Sequence, residues 1–169
     1  METTQIGRAF DDLYRSFADD VFRFLLYLSG KWALSQDLTS ETFVRVWTST
    51  TPLRVSTAKA YLFVIARNLY LDSLRRKRPD GHPAAGWAEP ASPAVCYEQR
   101  EELAQTLEDM EQIVEGDRAA FAMSVLEEMS HEEVAGALGI GVGAVKSRIF
   151  RTRLRLIELS EERKTRRPQ

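Results

Sequence analysis

The residues with the most chemistry to offer lie between Ser130 and Leu159, in SHEEVAGALGIGVGAVKSRIFRTRLRLIEL. Lys146, Arg148, Arg151, Arg153 and Arg155 stand there with Ser147 and Phe150 among them, and no acid falls between Gly143 and Ile157. Lysines and arginines neutralise phosphates, a hydroxyl bonds a phosphate or a base edge, and a ring contacts a thymine methyl. A merely solvated helical face mixes charge signs at i,i+4 spacing. This one does not, which points to nucleic acid as the partner.

Two other sets carry less. Asp37, Glu41 and Arg45 recur every four residues and form one charged row, which by spacing alone is a stabilised solvent face. Cys96, His82, His131 and Glu89 do not assemble into nucleophile, base and orienting group, so no catalytic residue is expected and the chain is not read as an enzyme. Two histidines and one cysteine spell no zinc-ligand cluster, so no metal and no cofactor are expected.

The elements that must hold the cationic set are a short helix, a tight turn and a second helix. Ser130 can cap the first helix, with Glu133 three residues on as the other half of a capping box. Val134, Ala137 and Leu138 give it one apolar face. Gly139-Ile140-Gly141 breaks the period, because glycine takes positive φ without steric cost. From Val142 the period resumes, with Val145, Ile149, Leu154 and Leu156 or Ile157 expected inward. Such a helix-turn-helix places its second helix in the major groove.

Upstream, helix is expected from Phe10 to Leu28, with a possible break at Ala18-Asp19-Asp20 and a buried stripe of Phe17, Val21, Phe24, Leu25 and Leu28. Ser29-Gly30 is the stop. Ser35 is expected to cap a second helix through LTSETFVRVW, with Leu38, Thr42, Val46 and Phe43 available to pack inward. Thr48 to Ser56 is a loop, and Thr57 caps a third helix, AKAYLFVIARNLYLDSLRRKR. Leu62, Ile65, Ala66 and Leu69 form its inward face; Tyr61, Val64, Asn68 and Leu71 lie beside it, near Arg67 and the Arg75–Arg78 cluster. Apolar and aromatic residues beside arginines can stack on unpaired bases, and a doubly buried helix with a basic end explains them equally well.

Pro79 to Val95 is rich in Pro, Ala and Gly without periodicity and is expected to link two helical domains, although Trp87 within it needs somewhere to bury. A helix then runs from Tyr97 through Val114 on the stripe Leu103, Leu107, Met110 and Val114. Gly116-Asp117 is expected to end it and cap the next, whose Phe121, Val125, Leu126 and Met129 lead into Ser130. Arg163–Arg167 is expected to be a frayed basic tail. The fold class is all-α: two small helical domains joined by a Pro/Ala-rich linker, the second ending in a helix-turn-helix.

At 169 residues and a formal charge of −2, DNA contact has to come from local cationic runs rather than the whole surface. A single cysteine excludes an intrachain disulfide, no apolar run reaches about 18 residues, and METTQIGRAF lacks a signal-peptide core, so a cytoplasmic protein without membrane insertion is expected.

The order DLTSETFVRVW, AYLFVIARNLYLDSLRR, Pro-rich linker, SHEEVAGALGIGVGAVKSRIFR resembles an extracytoplasmic-function (ECF) sigma factor of bacterial RNA polymerase, from about Phe10 to Leu159. The TSTTPLRVST loop resembles the iron-uptake-type subgroup. The resemblance implies a region 2-like domain over 1–78, a linker over 79–96, a region 4-like domain over 97–160 and a basic tail over 161–169. It implies that Asp37, Leu38, Glu41, Phe43 and Arg45 dock on the β′ clamp helices of core polymerase. It implies that the Thr48–Ser56 loop, Tyr61, Arg67, Asn68, Arg75 and Arg76 handle the opened minus-ten element. Lys146, Ser147, Arg148, Phe150 and Arg151 match positions that contact the minus-thirty-five element. Implied partners are core RNA polymerase (β′ clamp and β subunits), promoter DNA and an anti-sigma factor, the chain being a monomer or a heterodimer with that inhibitor. Ser40 stands where the family has Gln, and Gly136, Gly141 and Gly143 are small for their positions. The rival reading is a stand-alone dimeric helix-turn-helix regulator, which leaves DLTSETFVRVW unexplained.

Overall fold

The computed structural model describes residues 2–49, 57–76 and 97–166. Loop residues 50–56, the linker with His82, Trp87 and Glu89, and Cys96 lie outside the described residues. Contacts divide the chain into unit 1, Met1–Ala88, and unit 2, Glu89–Gln169. Among the described residues there are seven α-helices and one π-helical turn, and no strand.

Unit 1 holds α1 (Glu2–Ser29), α2 (Trp32–Thr48) and α3 (Ala58–Arg76), each packed on the other two. The α1 stripe buries Val21, Phe24, Leu25 and Leu28, and no break occurs at Ala18-Asp19-Asp20. Gly30 ends α1 at φ 64°, its N–H donating to the Leu26 carbonyl at 2.8 Å, as a left-handed C-terminal residue does. The expected start of α2 is corrected: the helix begins at Trp32, and Ser35 lies inside it, buried. The Ser35 hydroxyl donates back to the Lys31 carbonyl at 2.8 Å and lies 2.9 Å from the Ser29 hydroxyl. It closes the α1–α2 corner instead of capping a helix. Thr57 does cap α3, accepting from the Ala60 N–H at 3.2 Å. The α3 core is Leu62, Ala66 and Leu69 together with Phe63, whose ring stacks on Phe24 at 4.5 Å.

Unit 2 holds α4 (Tyr97–Glu111), α5 (Glu115–Phe121), a π-helical turn (Ala122–Leu126), α6 (His131–Leu138) and α7 (Val142–Arg166). Two expectations fail where α4 meets α5. The Gln112 and Ile113 N–H groups close short bonds to Asp109 and Met110, and α4 stops before Val114. Ile113 is therefore buried while Val114 is 77% exposed as the N-cap of α5. Gly116 and Asp117 sit inside the first turn of α5, not at a boundary. The π turn shifts the register by one residue, with the Glu127 N–H donating to the Ala122 carbonyl. Glu128 follows at φ 56°, uncommon for a residue with a Cβ.

Candidate nucleic-acid interface

The helix-turn-helix is set by local chemistry. Ser130 caps α6 by accepting from the Glu133 N–H at 3.2 Å, and the Glu133 carboxylate accepts the Ser130 N–H at 2.9 Å, a complete capping box. Gly139 turns the chain at φ 65°, and α7 leaves from Val142. Val145, Ile149, Thr152 and Leu159 are the buried face of α7. The period of 3.6 residues carries the buried row from Ile149 to Thr152, so Leu154, expected inward, and Ile157 point outward at 45% and 60% exposure. The tail expected to fray is helical to Arg166, and Arg163 donates to the Asp109 carboxylate at 2.6 Å.

The expected DNA-binding residues of α7 fall into two groups. Lys146, Phe150 and Arg153 line one side of an open groove of about 690 Å³ that also takes in Ser124, Val125, His131 and Ile149. Phe150 is 62% exposed, and neither Lys146 nor Arg153 forms an ion pair among the described residues. Ser147 is exposed, its hydroxyl donating to the Gly143 carbonyl at 3.0 Å. Arg148 and Arg151 turn the other way. Arg148 Nη1 donates to the Gly116 carbonyl at 3.1 Å, and Arg151 Nε and Nη2 each donate to the Asp117 carboxylate at 2.8 Å. That hydrogen bond, with the Asp117 charge, raises the Arg151 pKa above its ordinary value. Arg155 pairs with Glu158 at 3.1 Å and Glu162 at 3.6 Å. Asp117 was missed in the sequence. Its signal is the acid-free stretch 143–157, whose countercharge comes from another helix.

In unit 1, Asp37, Glu41 and Arg45 are exposed on α2 as expected, with Glu41 and Arg45 3.9 Å apart. Leu38 and Phe43 are buried, as their inward packing predicts, and lie beneath the row, with Leu38 lining the recess beside Glu41. Sequence reasoning missed the neighbouring surface. Ser40, Val44 and Trp47 follow at i, i+4, i+7 and, with Phe10, Tyr14 and the edge of Phe43, line a mostly apolar groove of about 420 Å³. Its rings pack edge-on, Phe10 on Trp47 and Tyr14 on Phe43, each at 4.8 Å.

On α3, Tyr61, Asn68 and Arg75 recur at seven-residue spacing and share one face. Asn68 and Arg75 are exposed, Tyr61 and Arg67 half-buried, and Arg75 pairs with Asp72 at 3.3 Å. Arg76 is not with them. It lines a recess of about 210 Å³ with Leu38, Glu41, Leu69 and Ser73 on the α2 side. No group of acids, histidines and cysteines among the described residues could hold a metal ion. No helix among them is long and apolar enough to cross a membrane.

Comparison with known proteins covers both units. Residues 13–79 match the Sigma-70 region 2 family and residues 105–156 match Sigma-70, region 4. The chain is 33% identical over 155 residues to the ECF RNA polymerase sigma factor SigE of Mycolicibacterium smegmatis, covering 88% of this chain and 60% of that protein. It is 30% identical over 154 residues to the ECF RNA polymerase sigma factor SigM of Bacillus subtilis, covering 86% of this chain and 91% of that one. Among solved structures, a sigma factor RpoE in complex with the anti-sigma factor NepR from Bartonella quintana shares the fold, with a TM-score of 0.74, 23% identity, and coverage of 91% and 98%. CnrH in complex with the cytosolic domain of CnrY aligns with a TM-score of 0.69 and 25% identity, covering 92% of this chain and 90% of that one. The region 2 match takes in the α2 and α3 sequences that a stand-alone helix-turn-helix regulator leaves without a role. With both regions present in order, and with a relative matched along nine-tenths of its length, the chain belongs to the ECF RNA polymerase sigma factors, a family of transcription initiation factors.

Proposed function

We propose that this chain docks on core RNA polymerase through α2, reads upstream promoter DNA with α7, and holds the opened downstream element with α3 and the loop before it. The observation that carries this is the exposed flank of α7, where Lys146, Ser147 and Phe150 stand together on a helix fixed by a capping box and a left-handed glycine. A helix so presented enters a major groove, each good side-chain contact to a base edge adding about 1–3 kcal/mol of discrimination. In unit 1 the acid-and-cation row Asp37, Glu41 and Arg45, beside the apolar groove at Val44 and Trp47, forms the polymerase surface. Tyr61, Arg67, Asn68 and Arg75 meet the separated strand by stacking and phosphate pairing, with Arg76 at the α2 edge of that surface.

On this reading unit 1 is the region 2-like domain over 1–78 and unit 2 the region 4-like domain over 97–160. The protein acts in the cytoplasm by binding, not catalysis, and an anti-sigma factor restrains it, as in the complexes of its structural relatives. The loop sequence TSTTPLRVST supports the iron-uptake-type subgroup. Promoter-specific transcription with purified core polymerase tests the reading. Asp37→Arg should abolish initiation by preventing docking, and Lys146→Ala should weaken dependence on the upstream element. A chain that never binds core polymerase yet footprints a palindrome alone would overturn it.

A further inference from the structure

The first turn of α5 reaches α7 through two successive residues, Gly116 and Asp117, which meet three α7 side chains. Gly116 offers its carbonyl to Arg148, the Asp117 carboxylate chelates Arg151, and the Asp117 carbonyl accepts from the Thr152 hydroxyl at 3.3 Å. Arg148 Nε also lies 3.8 Å from the same carboxylate. Stability alone is a poor reason for this arrangement. Arg151 is 58% exposed, and an ion pair that open to water contributes little. Its geometry does more: a two-point fork fixes the plane of a guanidinium. The approach is also close, since a Cβ on Gly116 would lie 2.6 Å from Arg148 Nη1.

We propose that Gly116 and Asp117 are positioning residues for sequence discrimination, holding Arg148 and Arg151 against α5 so that these arginines lend direction to the recognition helix while their charge is withheld from indiscriminate phosphate binding. This rests on the reading of α7 as a DNA-binding helix. Lys146 and Arg153, which form no ion pair among the described residues, remain on the groove side to attract the backbone. Nonspecific affinity grows with every phosphate neutralised, whereas discrimination requires fixed donors. An acid among the arginines trades the first for the second.

The test uses the full-length chain at low salt, titrated with a random-sequence duplex and with a duplex selected by the wild-type protein from a randomised pool. Asp117→Asn keeps the shape and removes the charge. It should bind the random duplex about threefold to tenfold tighter, steepen the salt dependence by about one phosphate, and lower the ratio of selected to random affinity. Gly116→Ala changes no charge; it should lower that ratio and leave the salt slope alone. A purely structural role would weaken both duplexes together, so Asp117→Asn binding that is unchanged, or reduced on both, overturns the proposal. Lys146→Ala separates the two levels. If it weakens both duplexes while Asp117→Asn changes nothing, only the positioning role fails; if it changes neither, the DNA reading itself falls. Thermal melts of each variant establish that it is folded.

Discussion

Both units bury an aliphatic core, but unit 1 adds ring pairs between its helices whereas unit 2 adds arginine contacts. Phe24 stacks on Phe63 with only 4° between ring planes, Phe22 packs edge-on to Trp32 at 4.6 Å, and Phe43 takes Phe10 and Tyr14 on its edges. In unit 2, Arg163 crosses to Asp109, Arg151 to Asp117, Arg148 to the Gly116 carbonyl, and buried Arg118 donates to the Met110 carbonyl at 2.9 Å. Ring contacts are indifferent to salt; exposed ion pairs are screened by it. The difference teaches where each unit keeps its charge. Unit 1 has one acid-and-cation row exposed on α2, while among the described residues of unit 2 Arg148, Arg151, Arg155 and Arg163 are set against acids of that unit.

The largest expected effect breaks unit 1 alone. Phe24→Ala removes a fully buried ring from the stack and should cost about 3–5 kcal/mol. In a Trp87→Phe background the remaining Trp32 and Trp47 both lie on α2, so tryptophan fluorescence in denaturant follows unit 1 and amide exchange follows unit 2. Protection should fall across Glu2–Arg76 and persist in α5 to α7. Equal loss in both would mean that the units do not unfold separately.

Smaller effects sharpen the other side. Ser130→Ala removes the hydroxyl arm of the capping box, keeps the backbone N–H arm to the Glu133 carboxylate, and should destabilise unit 2 by about 1 kcal/mol. Glu128→Gly should act in the opposite direction by a similar amount, about 1 kcal/mol, because only glycine adopts φ 56° without strain. Exchange protection of α6 amides reads both. If Glu128→Gly destabilises, the Glu128 side chain has a role that its backbone does not reveal. Raising salt to about 1 M should then weaken unit 2 more than unit 1, by less than about 1 kcal/mol per exposed pair.

What the sequence made legible follows from the range of the interactions. The capping box, the left-handed Gly30 and Gly139, and the Thr57 cap each span a few residues, and the residue types dictate them. The apolar periods found Val21, Phe24, Leu62, Ala66, Val145 and Ile149. What failed depended on partners far along the chain or on a shifted register. Ser35 looks like a cap because serines cap, yet its hydroxyl is taken by the α1–α2 corner. Val114 and Leu154 were placed inward by extending a stripe past a helix end or by choosing the wrong residue of a turn. The Asp117–Arg151 pair spans 34 residues, and nothing in the local pattern of either residue names the other. The expected DNA-binding residues of α7 therefore divide into an open flank and a tied one, a division that the local pattern does not contain.

The smallest effect concerns a charged tie that crosses between helices in unit 1. Lys59 on α3 lies 2.9 Å from the Asp20 carboxylate on α1, with Arg23 on its other side, and the Lys59 ammonium also sits over the Phe63 ring at 5.6 Å. Burial alone would raise the Asp20 pKa. The hydrogen bond and charge of Lys59, followed by those of Arg23, outweigh it and hold the group below its ordinary value of 3.8. A carboxyl depressed in the folded state stabilises above its unfolded pKa, and that contribution is lost as pH falls through the folded value. Unit 1 should therefore weaken in acid below about pH 3.8, over and above any general acid effect. Asp20→Asn should be the less stable protein at neutral pH and should converge with wild type as the solution is acidified. Tryptophan-monitored melts across that range decide it: parallel curves would mean that the lysine and the carboxylate are neighbours without energetic coupling, leaving apolar packing to hold α1 against α3.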